Sequence, residues 1–254
     1  MSTNPNIKFV KSSGDIIADL FCGGGGTTTG AKRALVRLGY KFKMLAVNHW
    51  ALSIQSHETN HPEVTHLCQS IDTILPEEVV PGRKLKLLLA SPECTDHSVA
   101  KGGKPRSDQK RADAWLLMRW IEKLDIDVIV IENVKEFLAW GPLNKKGLPD
   151  KRRRGEYFLA FVNILKINYT VEWRILNAAD YGDATTRERF ILIAKKGKNR
   201  KIEFPSPTHF SRKEIAKQEK GLFTDQLQEW RSAASIIEWN RKGESIFGRK
   251  KPLC

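Results

Sequence analysis

At 254 residues the chain can bury the core of one large α/β domain but is too short for two full domains. Hydrophobic residues make up 41% of it, seven of them Trp, which excludes a disordered chain. Lys and Arg number 43 against 29 Asp and Glu, and the formal charge of +14 favours a polyanionic partner, nucleic acid foremost, over an acidic one.

In chain order, Asp15 to Phe21 reads as a first strand that runs into the glycines 23–26. Thr29 to Leu38 is helical with Gly39 as its stop, Phe42 to Val47 a strand, and Ala51 to Thr59 a helix closed by Asn60-His61-Pro62. Leu85 to Ala90 is a short run, apolar but for Lys86 and bounded by Gly82 and Pro92, which suits a buried strand. Ala112 to Leu124 has helical spacing and Val128 to Ile131 is wholly apolar, a further strand. Tyr157 to Ile167 is helical, and Thr170 to Asn177 and Phe190 to Ala194 are strands. Beyond Lys195 a basic run leads into a polar stretch whose one helix-like segment is Trp230 to Trp239. Alternating strands and helices predict an α/β fold with a mostly parallel, doubly wound sheet, whose ligands collect at the carboxyl ends of the strands.

Four cysteines, Cys22, Cys68, Cys94 and Cys254, form no C-x-x-C pair, so reduced thiols in a cytosol-like compartment are expected. No run approaches the roughly 20 apolar residues of a membrane span, and the N-terminus lacks the charge and apolar stretch of a signal peptide. A cytoplasmic protein without a membrane partner is the expectation. His57, His61, His66 and Cys68 lie close together, but their spacing fits no familiar zinc pattern, so no metal is expected.

Four motifs fall where the strands end. Asp19 to Gly30, D-L-F-C-G-G-G-G-T-T-T-G, is a glycine-dense strand-to-helix turn, and no Lys follows the glycines as a phosphate loop would require. Ala90 to Ala100, A-S-P-E-C-T-D-H-S-V-A, sets Cys94 just after a buried strand. The glycines and the bases Lys101, Lys104 and Arg106 that follow suit a loop closing over a phosphate backbone. Ile129 to Val134, I-V-I-E-N-V, puts Glu132 at the end of an apolar strand, where burial would raise its pKa and keep it able to donate a proton. Tyr181 to Ala194 carries Arg187 and Arg189 alternating before a strand, pointing the same way in extended chain.

In that order the four motifs resemble the cytosine-5 DNA methyltransferase family over about residues 14 to 195. The resemblance implies a Rossmann-like S-adenosylmethionine-dependent fold, no metal, and double-stranded DNA with a flipped cytosine as substrate. For the cofactor it implies Asp19, Phe21, Gly23 and Gly25 in the turn, and Asn48 where relatives usually place a ribose-binding Glu. It also implies Trp50 stacking on adenine, Asp72 accepting from the adenine amino group, and Pro92. For chemistry it implies Cys94 as nucleophile, Glu132 at cytosine N3, and Arg187 and Arg189 at cytosine O2 and phosphate, with Ser98, Lys101, Arg106 and Asn133 serving the DNA. Relatives usually read Pro-Cys-Gln where this chain reads Pro92-Glu93-Cys94-Thr95, and the added carboxylate would disfavour the thiolate.

Residues 1–200 are expected to form the cofactor-binding and catalytic domain, and 201–254 a lead-in to an absent or truncated target-recognition domain. A fragment, a split enzyme whose second chain carries the recognition domain, and an inactive DNA-binding remnant all remain open. So does methylation of transfer RNA, which one branch of the family performs. The style of the sequence suits a bacterial or phage modification enzyme.

Overall fold

The structure, a computed structural model, describes residues 14–92, 113–218 and 227–240. Its centre is a seven-stranded sheet. The strands in chain order are β1 (Asp15–Leu20), β2 (Phe42–Asn48), β3 (Thr65–Cys68), β4 (Lys84–Ala90), β5 (Asp125–Asn133), β6 (Tyr169–Asn177) and β7 (Glu188–Lys196). In space the order is β3-β2-β1-β4-β5-β7-β6. The pairings from β3 across to β5 are parallel, with Asp19 opposite Ala46 and Leu89. β7 runs antiparallel to β5, setting Ile191 opposite Glu132 and Phe190 opposite Asn133. The expected mostly parallel sheet is therefore present, with β7 reversed against β5.

Helices α1 (Gly26–Arg37), α2 (Ala51–Asn60), α3 (Pro76–Val79), α4 (Asp113–Lys123) and α5 (Glu156–Asn168) connect the strands. Leu117 and Trp120 of α4, with Phe158, Phe161 and Leu165 of α5, pack one face of the sheet against Ala18, Leu45, Leu88, Ile129 and Ile131. An aromatic cluster fills the space under them, with Trp115 against Trp140 at 5.2 Å and Phe158 edge-on to Phe190 at 5.6 Å. On the other face Leu35 of α1 and Ile54 of α2 cover Ile17, Met44 and Ala46. Farther across that face Leu87, Val128, Val130, Ile191 and Ile193 stay half-buried.

α1 starts three residues earlier than its composition predicts, since a Gly-Thr-Thr-Thr opening is a poor helix former. Tertiary hydrogen bonds to Thr28 and Thr29 fix that first turn instead. The helix ends as expected at Gly39, left-handed at φ 74, where Tyr40 N donates to Leu35 O and Gly39 N to Val36 O. β3 has no counterpart in the sequence reading. It is four residues long at the sheet edge and buries only Leu67, so it lacks an apolar run.

The chain divides into two compact units, one taking in the sheet to Leu176 with Glu188–Phe204, the other Asn177–Arg187 and the chain from Pro205 onward. In the second unit β8 (His209–Phe210) pairs with β9 (Gln228–Glu229), and α6 (Arg212–Gln218) lies between them in sequence. Trp230 Nε1 donates to Asp180 Oδ1 at 3.0 Å, and Tyr181 donates to Pro205 O at 3.1 Å. The helix expected over Trp230 to Trp239 is absent: β9 ends at Glu229 and one 3-10 turn follows at Ala233–Ser235. Ser232 accepts from Ala234 N there, and Ile236 and Trp239 are exposed, so the segment has no buried apolar face to sustain a helix.

Candidate active site at the strand ends

The glycine turn is built by backbone that few residues adopt. Phe21, at the end of β1, is left-handed at φ 59, which costs a residue with a Cβ about 1–2 kcal/mol. Cys22 N then donates to Val47 O, Gly23 and Gly25 follow at φ 52 and 97, and Gly25 becomes the N-cap of α1. No side chain caps that helix at Gly25, and the backbone of Thr28 in its first turn hydrogen-bonds Asp19.

Strain at Phe21 coincides with a cavity of about 220 Å³ at the carboxyl ends of β1 and β2. Its walls are Phe21, Val47, Asn48, His49, Gln69, Ser70, Ile71, Asp113 and Leu116. Two residues expected at a cofactor, Phe21 and Asn48, meet there. Asn48 Oδ1 accepts from Trp50 N at 2.9 Å, so its Nδ2 is the polar group it can offer a ligand. Trp50 itself is 59% exposed at the start of α2, and Asp72 is exposed on the 3-10 turn beyond β3; neither lines the cavity. Gln69 and Ser70 escaped the sequence reading because they follow β3, which it did not find, and Asp113 and Leu116 because nothing in the helix read over Ala112 to Leu124 tied it to the glycine turn.

Asp19 is wholly buried and lies beneath the turn rather than in the cavity. Its Oδ2 accepts from Thr28 Oγ1 at 2.7 Å. Burial pushes its carboxyl up to about 6, against the pull of that hydrogen bond. Cys22 beside it is buried and pushed up to about 12, by burial first and by the Asp19 charge second, so it stays an unreactive thiol. Gly25 owes its lack of a side chain to the protein as much as to any ligand: a Cβ there would lie 2.7 Å from His61 Cδ2.

At the ends of β4 and β5 the structure joins two expected residues directly. Asn133, buried, donates from Nδ2 to Pro92 O at 3.2 Å while its Oδ1 accepts from Val134 N at 2.8 Å. Glu132 differs from its expected apolar burial. It is half-buried, and its Oε1 pairs with Arg189 Nε at 2.9 Å, because β7 runs antiparallel beside β5 and brings Arg189 back to the strand end. Arg189 also donates to Glu188 O at 2.8 Å. Arg187 is exposed and belongs to the other unit, where its carbonyl accepts from Ala178 N. Cys94, Ser98, Lys101 and Arg106 lie outside the described residues.

His57, His61 and His66 are engaged in hydrogen bonds with one another and with α1, and Cys68 is exposed. No helix among the described residues is long and apolar enough to cross a membrane.

A parallel sheet closed by an antiparallel β7, with its cavity at the glycine turn, defines the S-adenosylmethionine-dependent methyltransferase fold. Solved structures share it. A mutant form of DNMT2 from Spodoptera frugiperda superposes with a TM-score of 0.56 at 21% identity, over 76% of this chain and 56% of that one. The S. pombe Dnmt2 methyltransferase superposes at 0.55 and 16% identity, over 89% and 60%. Within that class the chain belongs to the C-5 cytosine-specific DNA methylase family, whose model matches residues 16–245. Curated relatives include the type II methyltransferase M.Sau3AI of Staphylococcus aureus, 24% identical over 71% of this chain and 43% of its own length. M1.HphI of Haemophilus parahaemolyticus is 27% identical over 75% and 48%. The chain thus spans about half the length of these relatives, whereas M.AquIA of Picosynechococcus sp., 24% identical, is covered over 87% of both chains.

Proposed function

We propose that the chain transfers a methyl group from S-adenosylmethionine to carbon 5 of cytosine in DNA, as a bacterial or phage modification enzyme working in the cytoplasm. The family match carries this reading, because it coincides with a cavity at the strained turn, walled by Phe21 and Asn48. The cofactor, when bound, supplies a methyl group activated on a sulfonium. Phe21 offers it an apolar wall, the N–H groups of the turn hold its anionic end, and Asn48 Nδ2 donates to a ribose hydroxyl. The family resemblance adds Trp50, Asp72, Gly23, Gly25 and Pro92 to the cofactor set, although Trp50 and Asp72 stand outside the cavity walls.

Carbon 5 of cytosine is a weak nucleophile, and the residue types answer that problem. The Cys94 thiolate adds to carbon 6 of a base flipped from the duplex, which breaks the ring's aromaticity. Glu132 meets N3, where negative charge accumulates, with a hydrogen bond or a proton. Carbon 5 then takes the methyl group, loses its proton, and expels Cys94. The ion pair between Arg189 and Glu132 supports a role for Arg189 in fixing that carboxylate and holding cytosine O2, with Arg187 on a neighbouring phosphate. The Asn133 to Pro92 hydrogen bond supports a tie between the nucleophile's segment and β5, while Ser98, Lys101 and Arg106 serve the DNA backbone.

Residues 1–200 are read as the catalytic part and 201–254 as the stretch that leads toward target recognition, with a second chain carrying the recognition domain as one partner open to this reading.

The test is transfer of labelled methyl to duplex DNA and to transfer RNA in parallel, with the product nucleoside identified after digestion. Label in 5-methyldeoxycytidine is expected. Label only in RNA, or on an exocyclic nitrogen, would overturn the reading.

A further inference from the structure

Three histidines of the α2–β3 segment, used by none of the chemistry above, converge on the glycine turn. Thr28 has one hydroxyl proton and gives it to Asp19 Oδ2 at 2.7 Å, so its oxygen accepts from His57 Nε2 at 3.0 Å. A neutral His57 with its proton on Nε2 presents Nδ1 as an acceptor, and His66 Nε2 donates to it at 2.8 Å. The donors therefore run one way. They begin at half-buried His66 on β3, pass through wholly buried His57 on α2 and Thr28 on α1, and end on the wholly buried carboxylate of β1. A second grip lies beside this chain. His61 Nε2 is 3.2 Å from Gly25 O and 3.0 Å from Thr29 Oγ1, and Asn60 Nδ2 donates to Gly24 O at 3.2 Å.

We propose that His57 is a positioning residue for the methyl-donor turn, the middle of a directed chain His66–His57–Thr28–Asp19 that holds the first turn of α1 against β1. The inference rests on reading that turn as the S-adenosylmethionine site. Each link crosses between two elements, so cutting one frees the turn from the strand before it and the helix beside it. Packing alone does not call for such a chain, since apolar residues of the same size would fill the space without the cost of burying polar groups.

The chain ends on a charged acceptor only while Asp19 is ionised, and keeps its direction only while His57 is neutral. Burial puts the Asp19 carboxyl near 6 and the His57 imidazole at about 4. His66 and His61 help to lower His57, and Glu63 opposes them. His66 is itself lowered by burial, against the charges of Glu58 and Glu63. Of the other groups nearby, Cys22 stays a thiol and Lys32, paired with Glu63, sits 3.2 Å from His61 Nδ1. Above about pH 6 both conditions hold, and as pH falls through that value Asp19 takes a proton and the chain loses its charged anchor.

The experiment is calorimetric titration of the full chain with S-adenosylhomocysteine from about pH 8 to about pH 5, alongside nitrogen spectra of the imidazoles. Affinity should be level above about pH 7 and weaken below about pH 6. Thr28→Val, which cuts the chain at constant size, should bind about 10-fold more weakly at neutral pH and lose the pH step, and Thr28→Ser should restore both. His57 should remain neutral, protonated on Nε2, down to about pH 5. Thr28→Val binding like the parent with the same pH profile would overturn the proposal, as would a His57 that titrates at its ordinary value. If the parent binds no cofactor at any pH, the methyl-donor reading fails and takes the positioning role with it. The imidazole spectra still decide separately whether the chain of donors exists.

Discussion

Gly23 and Gly25 look alike in sequence and are both left-handed, yet replacing them should have different consequences. No atom lies within 4 Å of a Cβ added at Gly23, so Gly23→Ala should cost only backbone strain, about 1 kcal/mol. Gly25→Ala also drives a methyl group into the His61 ring and should cost about 2–4 kcal/mol. Urea midpoints of the two variants measure this, and equal midpoints would contradict the His61 packing. The need for glycine was legible in the sequence, but its cause at Gly25 was not, because His61 is 36 residues away. Glu132 illustrates the same limit: its strand-end position could be read, whereas its pairing with Arg189 depends on a strand reversal that no local pattern records. Glu132→Gln should lower the single-turnover methylation rate by about 100-fold or more while cofactor affinity stays unchanged. A rate within a few-fold of the parent would remove Glu132 from the chemistry.

Most strands and helices were legible because central parallel strands, buried on one face and half-buried or buried on the other, read as largely apolar runs, as in Leu85 to Ala90 and Val128 to Ile131. The polar ends were not. β5 extends to Asp125 and Asn133 because its charged residues find partners across the sheet, Asp127 with Lys86 at 3.1 Å and Asp125 with Lys196. The histidine chain between α1, α2 and β3 makes an element-scale prediction about stability. His57, lowered to about 4, contributes stability that is lost as pH falls from its unfolded value of 6.5 toward 4. Asp19, raised to about 6, acts in the opposite sense, and its burial penalises the fold as pH rises from 3.8 to about 6. In the parent the two nearly cancel. In His57→Phe only the Asp19 effect remains, so the variant should gain on the order of 2–3 kcal/mol relative to the parent on going from about pH 6 to about pH 4. Denaturant titrations at the two pH values decide it, and a variant that tracks the parent would show the groups to be uncoupled from folding.

The chain as a whole carries a formal charge of +14. A protein that neutralises several phosphates releases their counterions, so duplex affinity should fall with salt at a log–log slope on the order of −3 to −6. A slope near zero would mean that the excess charge does not face DNA. The family was legible in the order of four motifs near strand ends, since the chemistry demands those residue types at those places. How the chain reaches its target sequence was not legible, because the chain spans about half the length of most relatives it matches.

Trapping the nucleophile tests the central claim most directly. The chain is incubated with S-adenosylmethionine and a duplex containing 5-fluorocytosine, whose fluorine cannot leave as a proton does, and the denaturant-resistant product is mapped by peptide mass. The account predicts a protein–DNA adduct on the peptide containing Cys94, absent from Cys94→Ser. An adduct at any other residue, or none from protein shown in the same mixture to hold both cofactor and duplex, would contradict it.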